Sequence, residues 1–223
     1  MTITLAIIIL TCLISISAFS NIKMKGDLLF YPPSITDSKQ YYRFITHGFV
    51  HADFLHLAFN MYALYSFGTA VETKLFEHEC FFGHSGKLLY VLLYITGIIA
   101  ASIPDYMRHR NDTHYASLGA SGAISAVIFS AIVLLPKMGI GFVFIPGIDI
   151  PGYIFGPAFL LISVYLDKRG GGNVAHGAHF WGAVYGVIFT VIAVTILGHV
   201  DIWQNFLKQM QGPAPFSPID CDL

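Results

Sequence analysis

One serine and a set of histidines sit where an apolar chain has little reason to keep them. Ser121 lies in LGASGAISAV (118–127), hemmed by glycine and alanine at the head of a long apolar run. His51, His56 and Asn60 lie in HADFLHLAFN (51–60), and His176 and His179 lie in AHGAHFWGAVYG (175–186). A serine hydroxyl is a weak nucleophile until a base takes its proton. Histidine, which titrates near neutrality, suits that task. Acyl transfer also builds an oxyanion, which needs preorganised donors, each worth about 2.7–4 kcal/mol of barrier. The Ser121 backbone N–H, the Asn60 amide and the His56 imidazole are candidates. His56 and Asn60 are four residues apart and share one helix face.

The elements that must position these groups are membrane helices. The chain has 223 residues, 55% hydrophobic and 11% charged, with a mean hydropathy of +0.66. Soluble domains carry about 25% charge, so this chain cannot cover a water-facing surface. Its apolar residues come in runs long enough to cross a bilayer. Spans are expected at 2–20, 54–71, 88–103, 117–135, 152–166 and 177–197. The expected fold is an all-α polytopic membrane protein, a six-helix bundle over 1–211, with a disordered tail over 212–223. The first span lacks a cationic leader and is read as a helix, not a signal peptide. The proline-broken stretch PKMGIGFVFIPGIDIPG (136–152) is read as an interfacial loop. No internal repeat is present. A net charge of −1 gives no reason to expect nucleic acid. Cys12, Cys80 and Cys221 form no CxxC motif, and Cys12 reads as a small apolar residue within a helix.

Ionisable groups within a span are costly, about 2.5–3.5 kcal/mol at the centre, and read first as functional. The three polar clusters open the second, fourth and sixth spans. Alternate spans start on the same side of the membrane, so the clusters share one face and one shallow depth. Gly119, Ser121, Gly122, Ser125 and Ala126 form a thin ridge on the fourth helix, and Gly182 and Gly186 form GxxxG on the sixth. Small-xxx-small faces let membrane helices approach closely. This approach is expected to bring the His179 ring within reach of Ser121.

With these residues in place, the sequence resembles the rhomboid intramembrane serine proteases over about 41–190. The resemblance rests on HxxxxHxxxN (His51, His56, Asn60), GxSG (Gly119 to Gly122) and AHxxG (Ala178 to Gly182). It implies a Ser121 nucleophile, a His179 base, His56 and Asn60 on the oxyanion, transmembrane protein substrates admitted between the second and fifth helices, and no cofactor or metal. YYRFITHGF (41–49) is similar to the family's loop-one Trp-Arg motif, with Arg43 carried over and Tyr42 where Trp is usual. Many members place an aromatic four residues after the nucleophile, against the base. Here that position is Ser125.

Competing assignments are weaker. GHSG (83–86) also matches GxSG, but Ser85 opens the third span on the opposite face and reads as an N-cap. His176, one turn before His179, lacks the glycine at +3. His51 reads equally as a gating residue or a solvated histidine, Asp53 as a helix cap, and Asp167, Lys168 and Arg169 as a solvated loop. HECFF (78–82) lacks the second histidine of HExxH, and GID (147–149) is not the GxGD of aspartyl intramembrane proteases. The alternative function is a non-catalytic rhomboid-like binder of membrane clients, or a transporter. A minimal form in a bacterial plasma membrane is expected. The family's usual arrangement puts the active face outside, whereas the positive-inside rule favours the reverse.

Overall fold

The computed structural model describes residues 1–142, 145–169, 175–198 and 200–211; the expected disordered tail lies outside them. The chain opens with α1 (Ile3–Phe19), whose N-cap Thr2 accepts from the Leu5 N–H. A layer of short helices follows: α2 (Ile22–Leu28), α3 (Pro32–Ser38) and α4 (Arg43–Thr46). Asn21 caps α2 through its side chain, and two prolines start α3, where a missing N–H costs nothing. Helix α5 begins at Phe54 and runs to Ala63. It then continues as π-helical turns over Leu64–Gly68 and Val71–Phe76, well past the expected end at 71.

Helices α6 (Gly86–His109), α7 (Ser121–Leu134) and α9 (His176–Leu197) form the packed centre, with α8 (Gly152–Arg169) against α9. α7 is buried on nearly every side. With 14 residues it is about 21 Å long, shorter than the ~30 Å apolar layer. Ser85 does stand at the N-cap of α6, but makes no side-chain capping bond.

Among the described residues, two helical stretches, Gly83–His109 and His176–Leu197, are long and apolar enough to cross a membrane. α1 and α7 are apolar but shorter. The expectation of an all-α chain needs correction at 136–152. Gly139–Phe142 (β1) and Ile145–Pro151 (β2) pair antiparallel, Ile140 opposite Ile150, with an irregularity between Gly141 and Phe142. Pairing satisfies backbone groups that a loop at the membrane surface would leave to water. Asp167 to Arg169 are likewise not a loop, but the last turn of α8.

The opposite end of the molecule is held by a buried carboxylate. Glu72 accepts from the backbone N–H groups of Ile3 (2.7 Å) and Thr4 (2.8 Å) and from the Thr4 hydroxyl (2.7 Å). It thereby caps α1 from a distant segment, as an anion at a helix N-terminus should. α10 (Ile202–Gln211) turns Asn205 and Gln209 inward, where Asn205 Nδ2 donates to the Leu134 carbonyl at 3.1 Å, and leaves Trp203 and Leu207 outward.

Candidate active site

The starts of α5, α7 and α9 meet at one end of the bundle. Gly119 holds φ +118, a conformation only glycine adopts freely, and this turns the chain into α7. A Cβ at Gly119 would also stand 2.9 Å from His56 Cε1 and 3.0 Å from Nε2, so the His56 ring lies against the loop that presents Ser121. His179 Nε2 and Ser121 Oγ are 2.8 Å apart.

That contact depends on the small residues. A Cβ at Gly182 would meet the Gly122 carbonyl carbon at 2.8 Å, and one at Gly186 would meet Ala126 Cα at 2.6 Å. One at Gly122 would meet Ala101 Cβ at 2.6 Å. α7 is therefore pressed on one side by the α9 backbone and on the other by the Ala101 methyl of α6. Beside Ser121 lies a cavity of about 20 Å³, lined by His47, Ser117, Gly119 and Ala178 among others. It has the size of one water.

The other expected residues fall as follows. Asp53 caps α5, accepting from the His56 N–H at 2.8 Å. The Ala52 N–H points at His56 Nδ1 (3.4 Å), which leaves Nε2 as the protonated nitrogen of the neutral ring, on the Gly119 side. Asn60 is buried, and one amide N–H goes to the His56 carbonyl at 2.9 Å, so the second remains to be given. His176 packs edge-on to His179, ring centroids 5.8 Å apart, and His179, not His176, makes the contact with Ser121. Arg43 is buried and donates to the carbonyls of Gly26 (2.8 Å) and Leu29 (2.7 Å) and to Gln40 Oε1 (2.6 Å), closing the α2–α4 layer.

His51 is not solvated; it is fully buried. Its Nδ1 lies 2.9 Å from Ser15 Oγ on α1, the Ser15 hydroxyl donates to the Phe49 carbonyl at 2.8 Å, and the Ala120 N–H points at Nε2 (3.4 Å). With Nε2 accepting, Nδ1 carries the proton, and burial pushes the ring down to about 3, so it stays neutral. His51 thus links α1 to the residue before Ser121.

Four groups that the sequence did not single out complete this end. Tyr115 OH donates to Asp105 Oδ2 at 2.7 Å, and its ring stacks on His109 at 3.8 Å. Burial, followed by the Asp105 carboxylate, pushes the Tyr115 phenol up. Arg108 pairs with Asp167 at 3.1 Å. A Cβ at Gly177 would lie 2.9 Å from Asp167 Oδ1 and 3.2 Å from Asp105 Oδ1. Two carboxylates therefore face the first turn of α9, whose N-cap Ala175 offers no side-chain bond. The Arg108–Asp167 pair is not visible in one dimension, because its partners are 59 residues apart on different helices.

Along α8 runs an apolar groove of about 390 Å³, lined by Ile154, Phe155, Phe159 and Ile162 and ending at His176 and His179. Among the described residues no group of three or more His, Cys, Asp or Glu is placed to hold a metal ion.

The fold is thus a helical bundle with a Ser–His contact where the starts of three helices meet. The family model described as the Rhomboid domain matches residues 38–196, and the chain belongs to the rhomboid family. It is 27% identical over 158 residues to the mitochondrial presenilin-associated rhomboid-like protein of Rattus norvegicus, covering 70% of this chain and 38% of that one. It is 26% identical over 159 residues to RHOMBOID-like protein 12, mitochondrial, of Arabidopsis thaliana (65% and 44%). It is 31% identical over 160 residues to rhomboid protease GluP of Bacillus subtilis (61% and 29%). The matched part spans less than half the length of each of these relatives. Two are mitochondrial by name, at odds with the expected bacterial plasma membrane, and one is bacterial; the family supports an integral membrane location only.

Proposed function

We propose that this chain is an intramembrane serine endopeptidase, with its helices crossing the bilayer six times. The observation that carries the reading is the 2.8 Å contact between His179 Nε2 and Ser121 Oγ. His179 takes the hydroxyl proton as Ser121 Oγ attacks a peptide carbonyl carbon. The resulting oxyanion is met by the Ser121 N–H, by His56 Nε2–H and by the second amide N–H of Asn60. The first-turn N–H groups of a helix have no intrahelical partner, so the Ser121 donor is free for this use. His179 then returns the proton to the leaving amine, and water, deprotonated by the same ring, releases the acyl group from Ser121.

The substrates are transmembrane segments. A peptide bond in a helix has its carbonyl already bonded, so a cleavable segment must unwind, and small or helix-weakening residues near the cut favour this. The apolar groove along α8 supports an approach from the lipid side. The alternative, a non-catalytic binder of membrane clients, would use the Ser121–His179 contact only as a structural hydrogen bond.

Labelling the purified protein with a fluorescent fluorophosphonate separates the two. Wild type and Ser85→Ala should label, and Ser121→Ala and His179→Ala should not. Failure of the folded wild type to label, together with no cleavage of a transmembrane substrate, would favour the binder.

A further inference from the structure

The base of this site needs a support that the fourth helix does not provide. Ser125 stands one turn after Ser121, and its side chain is too short to reach over a ring. The support comes from another helix. The Phe159 ring on α8 lies near-parallel to and offset from His179, centroids 6.3 Å apart and planes 26° apart. That separation and tilt fall within the range of attractive aromatic pairs.

Phe159 is itself held on two further sides. Phe129 on α7 lies 5.6 Å away at 52°, and Phe155, one turn earlier on α8, lies 5.6 Å away at 29°. Phe129 is buried. The rings of Phe155, Phe159 and His179 therefore form a column anchored to the same helix that carries Ser121. His176 closes the neighbouring side of the imidazole edge-on.

We infer that Phe159 is the positioning residue of the base: it fixes the plane of the His179 ring so that Nε2 points at Ser121 Oγ. This inference rests on the proposed protease reading. It couples the base to α8, an element separate in sequence from both Ser121 and His179. Phe159 touches neither the nucleophile nor, by this assignment, the scissile bond.

The test compares Phe159→Leu and Phe159→Tyr with wild type, using two probes of different size. One is the small fluorophosphonate, the other a transmembrane substrate. An aromatic pair is worth about 0.5–1.5 kcal/mol, so Phe159→Leu should slow both reactions by roughly 2- to 12-fold. The loss in kcat with the transmembrane substrate should match the loss in labelling rate with the small probe, and Phe159→Tyr, which keeps the ring, should stay within about twofold of wild type. If Phe159→Leu does not fold by thermal melting, Phe159→Met, which fills the volume without a ring, carries the same comparison. Unchanged fluorophosphonate labelling in a folded ring-less variant overturns the inference. So does a loss confined to the large substrate, which would make Phe159 part of the docking groove. Wild-type labelling that depends on Ser121 is measured in parallel; its absence would sink the protease reading, while its presence with unaltered Phe159→Leu would sink only this one.

Discussion

Adding one methyl group at Gly182 should switch the site off without touching any reacting group. A Cβ there would lie 2.8 Å from the Gly122 carbonyl carbon, whereas ordinary contacts begin at 3.4 Å. The Gly122 oxygen is nearer still. The α7 and α9 backbones must therefore part by at least about 0.6 Å, since neither contacting atom belongs to a side chain that can rotate away. Gly122 follows Ser121, and Gly182 lies three residues after His179, so the separation is transmitted almost fully to the reacting pair. A contact now at 2.8 Å moves to about 3.4 Å or beyond, where a hydrogen bond is nearly lost. Misplacement of this size costs about 100-fold in rate, and overpacking costs about 1–3 kcal/mol of stability. The assay is the fluorophosphonate labelling rate of Gly182→Ala, with its melting temperature measured alongside. Gly26→Ala is the control, because a Cβ at Gly26 meets nothing within 4 Å. A folded Gly182→Ala protein that labels within threefold of wild type would refute the argument that close approach sets the Ser–His distance.

Three further outcomes can be measured on the same material. Asn60→Ala should lower kcat by about 100- to 1000-fold, the worth of one oxyanion donor, with little change in KM; unchanged turnover in a single-turnover assay would remove Asn60 from that role. Arg43→Ala strips the partners from the Gly26 and Leu29 carbonyls and should cost about 3 kcal/mol, read as a lower melting temperature, with Arg43→Lys recovering part of it. Burial pushes His47 down to about 4 and His51 down to about 3, so below pH 6.5 the unfolded chain binds protons that the folded chain refuses. Stability should be fully present above pH 6.5 and fall as the pH drops, by about 2 kcal/mol per histidine between pH 8 and 5. A melting temperature flat across that range would show that these rings are not held neutral.

The site was legible where chemistry and helical parity coincide. His56, Ser121 and His179 each sit at the head of an alternate apolar run, so a common face followed from counting crossings, and the structure brings these three heads together. The GxxxG spacing likewise announced the approach of α9 to α7. What the sequence hid is what depends on distant partners. The hairpin at 139–151 is dense in glycine and proline, the usual marks of a loop, and only the pairing of Ile140 with Ile150 makes it a sheet. His51 read equally as a gate or a solvated histidine; its burial goes with a partner, Ser15, 36 residues away. Phe159 carried no local signal, since one phenylalanine among the apolar residues of α8 looks like any other lipid-facing side chain.

The clasp between Glu72 and the start of α1 bears on how this protein can be cut down. Residues 38–196 are those the family domain matches, and by that measure α1 is a dispensable leader. The folded unit has a different border. Deleting α1 would strip Glu72 of all three of its donors and leave a carboxylate stranded in a greasy interior, a loss of about 3–5 kcal/mol. It would also take Ser15 from His51. A fragment trimmed to the family boundary should therefore express poorly or demand Glu72→Gln to survive. The clasp thus predicts that a stable fragment must keep its first helix.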